Sequence, residues 1–351
     1  LSRADPFPDE STTSLAPTGT GMTESEQLTR SERKQKKAGK WLFSGCTWVL
    51  TAACFYLVWG KIDDAAAREN QAAIEYLLIF FGQANWLLWL GIMIPYSIFF
   101  FVVDAHVTWR VIRWFNVSEI KLNAVLPIRA SAYILSLVNE QVGKGAMSLY
   151  LLRRHNVPGW EALSSMIFLG IMEIYQLLIF SSVGVLLGFE LVVEASSILP
   201  LDVILPAVFI GAFIYLPLHI AYFRGRVLKK FSIRDRGVFH ALRQGRPRHY
   251  LLTFLFKAPN LVGAVVVYTV ALELFQVDVS FAQMLAFLPV IFLAAALPLP
   301  FHAGALLLWT VLFPEYPAVG AFSLVMHTFF VMFNAVIGTL FLTRANHELF
   351  G

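Results

Sequence analysis

Asn139, Glu140, Gln141 and Lys144 interrupt a chain that is otherwise mostly hydrocarbon, with Gly143 and Gly145 among them. Glu140 and Lys144 stand four residues apart, in the order that favours a helical ion pair. In that arrangement the Lys144 ammonium can receive a phosphate while Glu140 holds it. The competing reading is a self-neutralising pair that fixes a turn. Arg129 lies one short apolar stretch upstream, and Glu173 and Gln176 share a helical face downstream. Ionisable groups inside apolar segments are expensive and point to function. Glu173 is therefore expected to look inward and to pair with Lys144 or Arg129. Lys257 stands early in its own apolar run and reads as snorkelling to the surface. His302 is the plausible proton-responsive group, although a lone histidine is more often structural. Asn260, His327 and Asn334 can line a cavity or bond between helices.

The chemistry this set excludes is equally informative. The chain holds no GxSxG, HExxH, P-loop or CxxC pattern, so neither an enzyme nor a cofactor is expected. Cys46 and Cys54 read as small apolar residues of one segment, without metal-site spacing.

The elements that must position these groups are membrane helices. Hydrophobic residues make up 58% of the chain and charged residues 14%, against about 25% charged in a soluble domain. Long apolar runs recur from residue 41, continuous rather than alternating, which favours helices over a barrel. Six reach full spanning length: 41–60, 76–103, 160–188, 201–222, 250–274 and 318–342. Residues 1–40 are polar and expected to be a disordered tail, with Met22 a candidate start. The membrane domain is expected over 41–343, with a short tail over 344–351. Lys and Arg cluster before residue 41, in 104–121 and in 223–249. The positive-inside rule then puts both termini in the cytoplasm, so the basic balance reflects topology rather than nucleic acid. The 226–242 stretch reads equally as an interfacial helix or a basic loop.

Two segments do not fit full spans. Sidedness requires 122–152 to start and finish inside, turning at 139–145, and 281–313 to start and finish outside, breaking at PLPFHAG (298–304). Gly145 precedes Pro158 by 13 residues, as Gly304 precedes Pro317. The expected fold is thus an all-α polytopic membrane protein, with six transmembrane helices and two opposed re-entrant hairpins in an inverted repeat. Broken helices in such repeats build transporter sites near mid-membrane. The plainer alternative makes 122–138 and 281–297 ordinary spans, at the cost of placing Arg153 and Arg154 outside.

VNEQVGKGAMSLYLLRRHNVPGWEALSSMIFLGIMEIYQLLIF resembles the first block of the lysylphosphatidylglycerol synthase transmembrane region, a flippase-like family. ALPLPFHAGALLLWTVLFPEYPAVGAFSLVMHTFFVMFNAVIG is similar to its second block. The resemblance spans roughly 120–342 and implies a lipid-translocating or lipid-handling domain, here without the soluble synthase domain. Glu173 matches the family's helix Glu. The chain departs from the pattern at Lys144, where the family carries acid, at Met147 and Ser148, where an Arg is usual, and near Leu177, where a further acid is usual. It also departs at the turn 301–304 and along the uncharged return arm.

Two functions follow as expectations. The first is lipid translocation or headgroup binding in a bacterial inner membrane, through Arg129, Asn139, Glu140, Lys144, Glu173, Gln176, His302 and Asn334, with membrane phospholipid as partner. The second is a non-transporting subunit bound to other membrane proteins. A lipid-modifying enzyme is a weaker third.

Overall fold

The computed structural model describes residues 24–350 except 139, 197, 198, 229, 231 and 298. The chain divides into a small unit, 1–49, and a large one, 50–351. Among the described residues there are helices and turns and no strand. Six helices are long and apolar enough to cross a membrane. This is an all-α fold of the multi-pass membrane kind.

Helix α1 runs Glu24–Arg68. Residues 24–40 are therefore helical where a disordered tail was expected. Their many Glu, Gln, Lys and Arg are good helix formers, so low apolar content there does not prevent helix. The expected single span 76–103 is two helices, α2 (Ala73–Gly82) and α3 (Trp86–Phe115). The break falls at Gln83–Asn85, where the Asn85 side chain accepts from Leu88 N–H at 3.1 Å and caps α3. Because α3 continues to Phe115, residues 104–115 are helix rather than connection.

α4 (Leu122–Val138) and α5 (Glu140–His155) follow. Gly143 and Gly145 lie inside α5, so 140–145 is helical where a break was expected. α6 (Gly159–Leu187) begins at Pro158 and ends at Gly188. A short α7 (Phe189–Ala195) leads to α8 (Leu201–Phe223). Among the described residues of 226–242 there is no continuous helix, which favours the loop reading over the interfacial helix. The basic 223–249 segment forms two 3-10 turns, Ser232–Asp235 and Gly237–Phe239, and then α9 (His240–Gln244). Ser164 Oγ accepts from Ala241 N–H at 2.7 Å, which ties α9 to α6.

Pro247 opens α10 (Pro247–Glu273), where its fixed φ and missing N–H suit the first turn. α11 (Phe281–Ala295) starts with a capping box between Ser280 and Gln283. A 3-10 turn, Pro300–His302, joins it to α12 (Ala303–Leu312). Phe301 and His302 sit at φ 57° and 51°, a left-handed conformation that is strained without glycine. α13 (Val319–Phe350) is the last helix. It absorbs residues 344–350, expected as a tail. The Arg154 guanidinium donates to the carbonyls of His347 and Glu348 at 3.0 and 2.5 Å, satisfying C-terminal acceptors.

The large unit has a basic and an acidic end. At the basic end, the start of α4 (Lys121, Asn123) and the end of α5 (Tyr150, Arg154, His155) line one cleft of about 370 Å³ with Glu348. Asn116, after α3, donates to the Glu161 carbonyl near the start of α6 at 3.4 Å. At the acidic end, Asp278 and Gln283 at the start of α11 share a cleft of about 120 Å³ with Leu312 and Glu315, around the end of α12, and with Glu194.

Lipid tails are as apolar as leucine, so helices in a membrane associate through close packing rather than through escape from water. Glycines mark the closest approaches. A Cβ on Gly338 would stand 2.4 Å from Ile134 Cγ1, where α13 crosses α4. One on Gly184 would stand 2.3 Å from the Leu285 carbonyl oxygen, where α6 crosses α11. Outward positions stay apolar and bare: Leu87, Leu186 and Leu340 are each more than 70% exposed. Exposed apolar surface on this scale suits lipid.

Candidate functional site

Four helices contribute one charged side chain each to two ion pairs, three of them largely buried and the fourth, Glu173, exposed where an inward side chain was expected. Arg129 of α4 pairs with Asp104 of α3, Nε to Oδ2 at 2.6 Å. Tyr133, one turn beyond Arg129, donates its hydroxyl to the same Asp104 oxygen at 2.7 Å. Lys257 of α10 pairs with Glu173 of α6, Nζ to Oε2 at 3.1 Å. One pair ties α3 to α4 and the other ties α6 to α10. Each charge lies roughly 10–20 Å in from the basic end, at 1.5 Å per helical residue.

The helices place these groups by register. Asp104 follows Phe101 and precedes Ala105, both buried, so it faces α4 and not the surface. Arg129 and Tyr133 are four apart on α4 and converge on that carboxylate. Lys257 and Asn260 lie on the inward side of α10, both buried. Asn260 Nδ2 donates to the Phe100 carbonyl at 3.3 Å, and Tyr96 donates to the Asn260 carbonyl at 3.2 Å, locking α10 to α3 beside the charges.

The four members differ in accessibility. Asp104, Arg129 and Lys257 are largely buried, whereas the Glu173 side chain is 59% exposed. The network is therefore closed on one side and open at Glu173.

No protein-family model, curated protein or solved structure matches this chain. The site rests on its own geometry.

Of the residues singled out from sequence, Arg129 and Glu173 fall in this network. Glu173 meets neither Lys144 nor Arg129 directly; its partner is Lys257. Lys257 does not snorkel. It stands only 7% exposed, and its stem and ammonium turn into the bundle toward Glu173. Gln176 lies buried one turn beyond Glu173, its Nε2 without a hydrogen-bond partner. Asn334 is half-buried on α13. Asn139 lies outside the described residues, as do the side chains of Glu140 and Lys144.

His302 is not alone. Its ring centroid stands 4.5 Å from that of His327, edge to face, and its Nδ1 lies 2.9 Å from the Ala295 carbonyl. The two histidines form a second polar spot, on another turn of the bundle. Asp104 and Tyr133 were missed from sequence. The signal was present in Asp104 and Arg110 on one apolar run, which marks a helix carried past the assumed end of its span.

Proposed function

We propose that the chain is a flippase-like, lipid-handling protein of a bacterial inner membrane, related to the lysylphosphatidylglycerol synthase transmembrane region. Both termini face the cytoplasm in this reading, and α4–α5 and α11–α12 are re-entrant hairpins from opposite sides. The neighbours at the hairpin bases support it: one pair of bases gathers at the basic end and the other at the acidic end. The packing of α4 on α13 and of α11 on α6 is the pairing that an inverted repeat exchanges.

The observation that carries the lipid role is Glu173. An ionisable group at this depth is costly unless polar matter meets it. Lys257 satisfies one side of the carboxylate and leaves the other open. A phospholipid headgroup that carries an ammonium or hydroxyl can donate to that open side as it passes the α6 face, while its tails remain in the bilayer.

The experiment is reconstitution into vesicles with a labelled phospholipid. Wild type should speed transbilayer exchange above protein-free vesicles, and Glu173→Gln should fall to background while remaining folded. Equal rates for wild type and Glu173→Gln, or none above background for wild type, overturn the proposal.

The second reading, a non-transporting subunit, draws support from the neutrality of the network. Each carboxylate has a cation within 3.1 Å, which suits a static pin. In that case the open side of Glu173 meets a partner helix.

A further inference from the structure

The basic end of α3 carries an arrangement that the charged network does not use. Phe99, Val102, His106, Arg110 and Arg113 follow a 3-4-4-3 spacing and so share one helical stripe. On α10, Arg248, Leu255, Val262 and Val266 form a second stripe. The two helices pack together. Each stripe is apolar along its length and ends in arginine at the basic end. Phe99, Val102, Leu255, Val262 and Val266 are all more than 40% exposed. Asp104 and Lys257 lie on the opposite sides of the same helices, facing their partners in the bundle, so this surface is separate from the network.

The arginines are held in place. The Arg110 guanidinium lies 4.8 Å from the Trp109 ring centroid and 5.6 Å from that of Phe256; Arg113 lies 5.1 Å from Trp109. Trp109 is itself fixed, its indole N–H donating to the Ile120 carbonyl at 2.8 Å. Across the groove, Trp114 stacks on His249 at 5.1 Å, and Arg248 donates to that imidazole at 3.4 Å. None of Arg110, Arg113 and Arg248 makes an ion pair among the described residues. Arg110 and Arg113 on their aromatic rings, with Arg248 beside His249, are complementary to an anion. Nε of Arg110 donates to His106 at 3.4 Å and Nε of Arg113 to the Ser118 carbonyl at 2.8 Å, and the terminal N–H groups of these planar guanidiniums can meet a phosphate.

We propose that this surface holds one anionic phospholipid, its phosphate between Arg110, Arg113 and Arg248 and an acyl chain along the α3–α10 stripes. The bound lipid is a fixed companion of the fold rather than the molecule handled at Glu173. The inference uses only the membrane setting and does not require translocation.

The test is native mass spectrometry of the full chain, released from detergent after titration with phosphatidylglycerol or phosphatidylcholine of matched tails. One phosphatidylglycerol should be retained per chain, with at least ten-fold preference over phosphatidylcholine. Arg110→Gln/Arg113→Gln should bring the ratio near one, and the exposed Arg248→Gln should lower it in the same direction. Arg226→Gln, an exposed arginine in the basic loop, should leave it unchanged. Equal retention of both lipids overturns the proposal, as does an equal fall with Arg226→Gln, which would mark diffuse charge attraction. Full competition by soluble glycerophosphoglycerol also overturns it, because the acyl lane would then contribute nothing.

Discussion

The weight of the site falls on a few atoms. Asp104 Oδ2 receives both Arg129 and Tyr133, in a part of the bundle where water offers little alternative solvation. Removing one member of a buried ion pair leaves the other uncompensated, at about 3–5 kcal/mol. Removing one hydrogen bond in a membrane protein costs less, roughly 1 kcal/mol. Arg129→Leu should therefore destabilise the protein several times more than Tyr133→Phe. Adding Asp104→Asn to Arg129→Leu should restore part of the loss, because no charge is then stranded. Thermal unfolding in detergent of Arg129→Leu, Asp104→Asn, their double variant and Tyr133→Phe checks this; additive losses in the double variant would show that Arg129 and Asp104 are not coupled. At this scale the sequence was half legible. Arg129 and Glu173 stood out as charges within apolar runs. Lys257 misled because position along a helix gives depth but not direction, and its partner is 84 residues away in the chain. Asp104 was hidden by an assumed helix end.

At the scale of elements, helix contact is governed by how closely backbones approach. Gly184 and Gly338 occupy the crossings of α6 with α11 and of α13 with α4. Gly184→Leu should overpack the α6–α11 crossing and Gly338→Leu the α4–α13 crossing, each at about 1–3 kcal/mol. Gly91→Leu, where the added Cβ meets nothing within 4 Å, should be near neutral. Melting temperatures and monodispersity on size exclusion check the contrast; equal effects at all three positions would mean that the crossings are not tight. Helices α6, α8 and α10 were legible to within three residues, since Pro158, Pro200 and Pro247 mark their starts. The α2–α3 break was not, because Gln83–Asn85 is too short a polar step to interrupt a hydropathy window. The Gly143 and Gly145 pair suggested a longer break than exists. Glycine permits a turn without requiring one, and α5 runs through both.

For the whole molecule, the two ends carry the organisation. Lys121, Arg154 and His155 gather where α4 starts and α5 finishes, and carboxylates gather where α7, α11 and α12 meet. Between them one ion pair joins α3 to α4 and another joins α6 to α10. That is the arrangement a rocking bundle needs, and equally one that a rigid scaffold can use. The direction of the Lys257–Glu173 pair separates the two. A charge swap, Glu173→Lys/Lys257→Glu, keeps the pair and its neutrality but reverses which charge lies open on the α6 face. Its rate of labelled-phospholipid exchange in reconstituted vesicles is the most direct measurement. If the open carboxylate receives the headgroup, the swapped protein folds and melts close to wild type yet exchanges lipid at the protein-free rate. Exchange at the wild-type rate by the swapped protein would contradict the central claim and leave the pair as a structural pin.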